Sequence, residues 1–107
     1  MLTCVIRYHI DPTKKDDFAT YGRNWNETIP RCGADLIGYF APHEGSSTLA
    51  YGIYSIASLA DYEAYRARLA ADPLARENHA FAQREKFLLR EDRTFLKCVS
   101  TPHGEKK

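Results

Sequence analysis

A chain of 107 residues and 12.2 kDa is the length of one domain. Its 44% apolar and 12% aromatic content can build a core and excludes a disordered composition. With 15 Lys and Arg against 14 Asp and Glu there is no basic excess to recruit nucleic acid or an anionic membrane, and no apolar run reaches the roughly 18 residues of a transmembrane helix.

Residues 2–10 alternate as a first strand, with Leu2, Cys4, Ile6, Tyr8 and Ile10 on one face and Thr3, Val5, Arg7 and His9 on the other. No basic segment precedes an apolar one, so this start reads as a strand and not a signal peptide. Cys4, Cys32 and Cys98 lack any Cys-x-x-Cys spacing. An odd count without a leader predicts free thiols and a cytoplasmic setting.

Asp11-Pro12-Thr13 breaks the strand, and Thr13 is placed to cap a helix over about 14–29. Phe18, Tyr21, Trp25, Thr28 and Ile29 form its core-facing stripe, and Pro30 and Gly33 are expected to end it. Residues 34–56 read as a hairpin around Glu44-Gly45-Ser46-Ser47, a register that pairs Phe40 with Tyr51 and Tyr39 with Gly52. Both hairpin strands carry apolar residues on both parities, which predicts that both sheet faces are covered, one of them by a second copy of the chain. Ser58 with Asp61 marks a capped helix to Ala71, Asp72-Pro73 starts a third helix over about 74–90, and 94–100 is a last strand. Residues 101–107 are expected to be a mobile tail on a single domain of residues 1–100.

The resulting order, β-α-β-β-α-α-β, predicts an α+β, ferredoxin-like domain with a four-stranded antiparallel sheet and helices on one face. Pairing the open faces of two copies gives a dimeric α+β barrel with a cavity between or beneath the sheets.

His9, His43, His79 and His103 show no metal-binding spacing, so neither a metal nor a cofactor is expected. No phosphate loop and no nucleophile elbow occur. Arg84-Glu85-Lys86 and Arg90-Glu91-Asp92-Arg93 mix signs and read as a solvated face. Arg7 and His9 lie opposite the helix-packing set. There Arg7 either pairs with a carboxylate across a dimer or, with His9, binds an anionic group of a small ligand. Trp25, Tyr51 and His79 complete the candidate ligand-binding set of Arg7, His9, Trp25, Tyr51 and His79. The helical spacing of the aromatic residues also fits plain core packing.

Three stretches resemble the NIPSNAP family: Arg7-Tyr8 leading into a polar helix start; Leu36-Ile37-Gly38-Tyr39-Phe40 with Leu49-Ala50-Tyr51-Gly52-Ile53-Tyr54; and the tyrosine- and arginine-bearing helix from Ser58 to Leu69, closing on Asp72-Pro73. The resemblance spans 2–100 and implies the same dimeric barrel without a settled activity. Two functions follow as expectations. One is a homodimeric small-molecule or protein-interaction domain without a catalytic constellation. The other is a cofactor-light monooxygenase-like enzyme acting on a small aromatic or anionic substrate in the barrel cavity.

Overall fold

The computed structural model describes residues 1–102; residues 103–107, with His103 and most of the expected tail, lie outside the described residues. The elements are β1 (Leu2–Ile10), a 3-10 turn (Pro12–Lys14), α1 (Lys15–Arg31), β2 (Asp35–Phe40), β3 (Leu49–Ile56), α2 (Leu59–Ala71), α3 (Pro73–Glu85) and β4 (Leu88–Lys97). The strands form one antiparallel sheet in the order β2-β3-β1-β4, the ferredoxin-like arrangement.

Burial shows which face the helices cover. In β1, Cys4, Ile6, Tyr8 and Ile10 are buried, and so are their neighbours Ala50, Gly52, Tyr54 and Ile56 in β3. In the hairpin, Tyr39 pairs with Gly52 and Phe40 with Tyr51, as the sequence predicts, although the connection spans all of 41–48. A register shift between Leu36 and Gly38 lets both Leu36 and Tyr39 reach the helix side. That bulge, and not coverage alone, explains why β2 carries apolar residues on both parities.

Several ends differ from expectation. Thr13 does not cap the first helix: α1 has no side-chain cap, and it is Asp11 that caps the 3-10 turn leading into it, its carboxylate accepting from the Thr13 N–H at 2.9 Å. Pro30 does not stop α1. It lacks only its own donor, while the Cys32 N–H closes the last turn on the Thr28 carbonyl and Gly33 (φ 110°) turns the chain out. The third helix ends at Glu85, not near Arg90, because Lys86 adopts a left-handed conformation (φ 56°). β4 then begins six positions before the expected Thr94, so the 90–93 charge run lies in an edge strand. Edge strands tolerate alternating charge.

Around Asp72 the ends of three helices are tied together. Its Oδ1 accepts from the Leu74 and Ala75 N–H groups at 3.0 and 3.1 Å, and its Oδ2 accepts from Arg31 Nε at 3.2 Å. Arg68 donates to the Cys32 carbonyl at 2.7 Å. The Arg31 hydrogen bond holds the Asp72 carboxyl below its ordinary value, against the opposing effect of burial. A lowered folded pKa means that this stabilisation is present above the unfolded value of about 3.9 and is lost as pH falls through the folded one. Asp72→Asn keeps a cap acceptor but no charge, so it should be less stable than the parent at pH 7. Urea midpoints measured at descending pH should converge for the two proteins below about pH 4.

Candidate functional site

Between the helix layer and the sheet lies a cavity of about 400 Å³, inside a single chain. The period-2 pattern of β1 delivers Ile6 and Tyr8 to its floor, joined by Tyr39 from β2 and Tyr54 from β3. Successive turns of α1 bring Tyr21, Trp25 and Ile29 to one wall. Tyr62, Tyr65 and Arg66 of α2 form another wall, with His79 and Ala82 from α3. The alternation of β4 adds Glu91 and Arg93.

The site is aromatic and electrically mixed. Tyr8 and Tyr39 share a hydrogen bond between hydroxyls at 3.3 Å, and Tyr21 stands edge-on to Trp25 with ring centres 5.5 Å apart. Burial pushes the Tyr21 phenol up to about 12 and raises Tyr8, Tyr39, Tyr54 and Tyr65 as well. All five are therefore protonated at neutral pH and can donate hydrogen bonds. Glu91 and Arg93 pair at 3.3 Å with half-exposed side chains. Trp25 is 2% exposed, and its indole N–H has no partner at hydrogen-bonding geometry. It still approaches the Tyr21 hydroxyl closely enough to act against the burial effect there.

His79 sits at the mouth, its ring edge-on to Trp25 at 5.0 Å. Desolvation on that side lowers its pKa; Glu91 opposes the shift and Arg93 adds to it. The exposed residue thus stays neutral to a lower pH than a free imidazole. A proton NMR titration of the His79 ring should give a midpoint below about 6.5. Because the folded pKa is depressed, the associated stability is present above that value and declines as pH drops through the folded midpoint.

The five residues expected from sequence fall on opposite faces of the sheet. Trp25 and His79 line the cavity. Arg7, His9 and Tyr51 lie on the face without helices, where Arg7 stands between Tyr51 of β3 and Asp92 of β4. The carboxylate that Arg7 meets belongs to its own chain, Asp92 at 3.4 Å. Sequence reasoning missed Arg66, Glu91 and Arg93. The last two were hidden by reading 90–93 as a solvated run, although Glu91, Arg93 and Phe95 alternate with Arg90, Asp92 and Thr94 at strand period.

A more open groove of about 530 Å³ runs outside, between α1 and α3. Two of its three asparagines are already engaged: Asn24 donates to Asn78 at 2.9 Å, and Asn78 donates to the Tyr21 carbonyl at 3.0 Å. Among the described residues no cluster of His, Cys, Asp and Glu could hold a metal ion, and no helix is long and apolar enough to cross a membrane.

Comparison with solved structures agrees with the fold. A NIPSNAP family protein with unknown function from Agrobacterium tumefaciens is 20% identical, with a TM-score of 0.82 over 95% of this chain and 92% of that one. An uncharacterised NIPSNAP domain protein from Burkholderia xenovorans is 25% identical, with a TM-score of 0.73 over 95% of this chain and 99% of the other. A putative antibiotic biosynthesis monooxygenase from Nitrosomonas europaea shares 10% identity and a TM-score of 0.71 over 94% of this chain and 100% of its own, a likeness of fold alone. Among curated proteins, none matches. The NIPSNAP family model matches residues 3–102, nearly the whole sequence and all three stretches that carry the resemblance, so this chain belongs to the NIPSNAP family.

Proposed function

We propose that this NIPSNAP chain is a small-molecule-binding domain, one unit over residues 1–100, that takes an aromatic ligand in the helix–sheet cavity and works as a cytoplasmic homodimer. The observation that carries the binding reading is the cavity itself. It has about 400 Å³ of space, tyrosine and tryptophan walls, and a few charged groups at the mouth. That is the volume and lining of a small-ligand site.

The homodimer is supported by the helix-free sheet face. It presents Val5, Leu49, Tyr51 and Ile53 at its centre and leaves Phe40 48% and Leu96 50% exposed. A second copy of the same face covers these residues, and the charges it meets at β4 are already partnered within the chain, Arg7 and Arg90 both on Asp92 at 3.4 and 3.1 Å. The three free cysteines, two of them buried, support a reducing compartment.

Native mass spectrometry of the purified protein beside a denatured sample tests both parts. The expected species is a dimer with a retained mass of a few hundred daltons, or a bare dimer that takes up 2-naphthol with a shift of the Trp25 indole NMR peak. A monomer overturns the dimer, and a bare protein indifferent to the probe overturns the binding site. Ile53→Lys places a charge at the centre of the open face and should give a monomer that still takes up the probe.

A second reading, metal-free oxygenation of a phenolic occupant, is favoured by one feature. His79 stays neutral near physiological pH at the mouth of an aromatic cavity and can accept a phenol proton. Oxygenated product from the bound phenol under air decides for it.

A further inference from the structure

We propose, resting on the binding reading above, that the occupant is an aromatic carboxylate whose anionic group is held by Arg66 at the cavity mouth. The charged groups of the cavity wall do not cancel. Glu91 and Arg93 satisfy each other at 3.3 Å, which leaves Arg66 as the uncompensated cation. Among the described residues no carboxylate lies within ion-pair distance of Arg66. Its guanidinium carbon stands 5.8 Å over the Tyr62 ring, on the α2 turn that borders the cavity. A guanidinium carried on an aromatic face has fewer orientations to lose and keeps its donor edge free for two oxygens of one carboxylate.

The remaining chemistry points the same way. Two guanidinium groups, one carboxylate and a neutral His79 give the wall a single net positive charge, which suits a monoanion better than a phosphate dianion. Behind the charge, the partly exposed Tyr62 ring offers flat apolar surface, with Trp25 and Tyr65 packed beneath it. The Tyr54 and Tyr65 hydroxyls beneath, kept protonated by burial, add no competing negative charge.

The test compares 2-naphthoate with its neutral isostere 2-naphthamide by isothermal titration calorimetry on the intact protein at pH 7.5. Occupancy is followed in parallel at the indole N–H peak of Trp25, the sole tryptophan. Naphthoate should bind at least about tenfold more tightly than naphthamide, the ordinary worth of a charge-assisted contact. Arg66→Gln should bring naphthoate down to about the naphthamide affinity and cost naphthamide, which loses only a neutral hydrogen bond, markedly less, with circular dichroism as the control for folding. Bound naphthoate should raise the His79 titration midpoint, whereas naphthamide should not. Equal affinities in the parent protein, or equal losses in Arg66→Gln, overturn the carboxylate assignment while leaving the binding cavity in place. No response of the Trp25 peak to either probe overturns the cavity reading, and this assignment with it.

Discussion

Replacing Trp25 by alanine should lower stability by about 3–5 kcal/mol, the range for deleting a large aromatic side chain from a core. Trp25 is among the largest fully buried side chains, and it holds both Tyr21 at 5.5 Å and His79 at 5.0 Å in edge-on contact. Each such aromatic pair adds about 0.5–1.5 kcal/mol beyond the area buried. The site cannot collapse easily, because Tyr21 is held on its other side by Phe87 and Tyr8. For a chain of this size the loss corresponds to roughly 4–8 °C of melting temperature per kcal/mol. Trp25→Phe should cost less than Trp25→Ala, since it keeps an aromatic ring against Tyr21 and His79 and removes an indole N–H that lies near the Tyr21 hydroxyl without good hydrogen-bond geometry. Urea unfolding followed by circular dichroism gives both numbers. A loss under about 1 kcal/mol for Trp25→Ala would show that the core closes around the gap, contrary to the packing described.

Gly52→Ala should also destabilise, although alanine is the better strand residue by about 0.5–1 kcal/mol. A Cβ on Gly52 would stand 2.7 Å from two ring carbons of Tyr39, its partner across the hairpin, and 3.1 Å from the hydroxyl. Tyr39 has little room toward α1, whose backbone passes so close at Gly22 that a Cβ added there would stand 2.8 Å from the Tyr39 Cβ. The ring must therefore swing away from Tyr8 and break the hydroxyl contact at 3.3 Å. Overpacking of this kind costs about 1–3 kcal/mol, more than the propensity gain. The double variant Gly52→Ala with Tyr39→Leu should recover most of the loss, giving a coupling of about 1 kcal/mol or more in a double-mutant cycle. Additive effects would show that the two residues do not share the space.

Much of the fold was legible because it rests on local rules. The alternation of residues 2–10 named the buried face of β1, and Ser58 and Asp72 named the starts of α2 and α3 through capping chemistry, confirmed by bonds to Asp61, Leu74 and Ala75. The hairpin register followed from pairing rules, even though the connection is longer than four residues. Where the reading slipped, a single backbone choice was responsible. Lys86 in the left-handed region moved the boundary between α3 and β4, and the bulge at Ile37 let Leu36 and Tyr39 share a face. Lys86 is not a glycine, so composition gave no sign of that turn, whereas Gly38 beside the bulge is the residue that such irregularities often carry.

The candidate site was legible only in part, for a geometric reason. Pattern reading assigns each side chain to a face of its own element, which is enough to place Trp25 inward and Arg7 on the opposite side of the sheet. It cannot say how far apart two layers stand, and the cavity is a property of that gap. By itself the sequence determined the elements, their order and the covered face of β1, but not which face of the hairpin strands meets the helices, because periodicity and capping act within a few residues. Only the tertiary structure decided that α2 and α3 leave a space over β1 and β4, which places Arg66, Glu91 and Arg93 on one lining with Trp25 and His79, while Arg7 and His9, already assigned to the opposite face by alternation, are left out of it with Tyr51. That outcome brings residues some 25 to 85 positions apart, such as Arg66 and Arg93 or Tyr8 and Arg93, onto one lining, where local pattern carries no information.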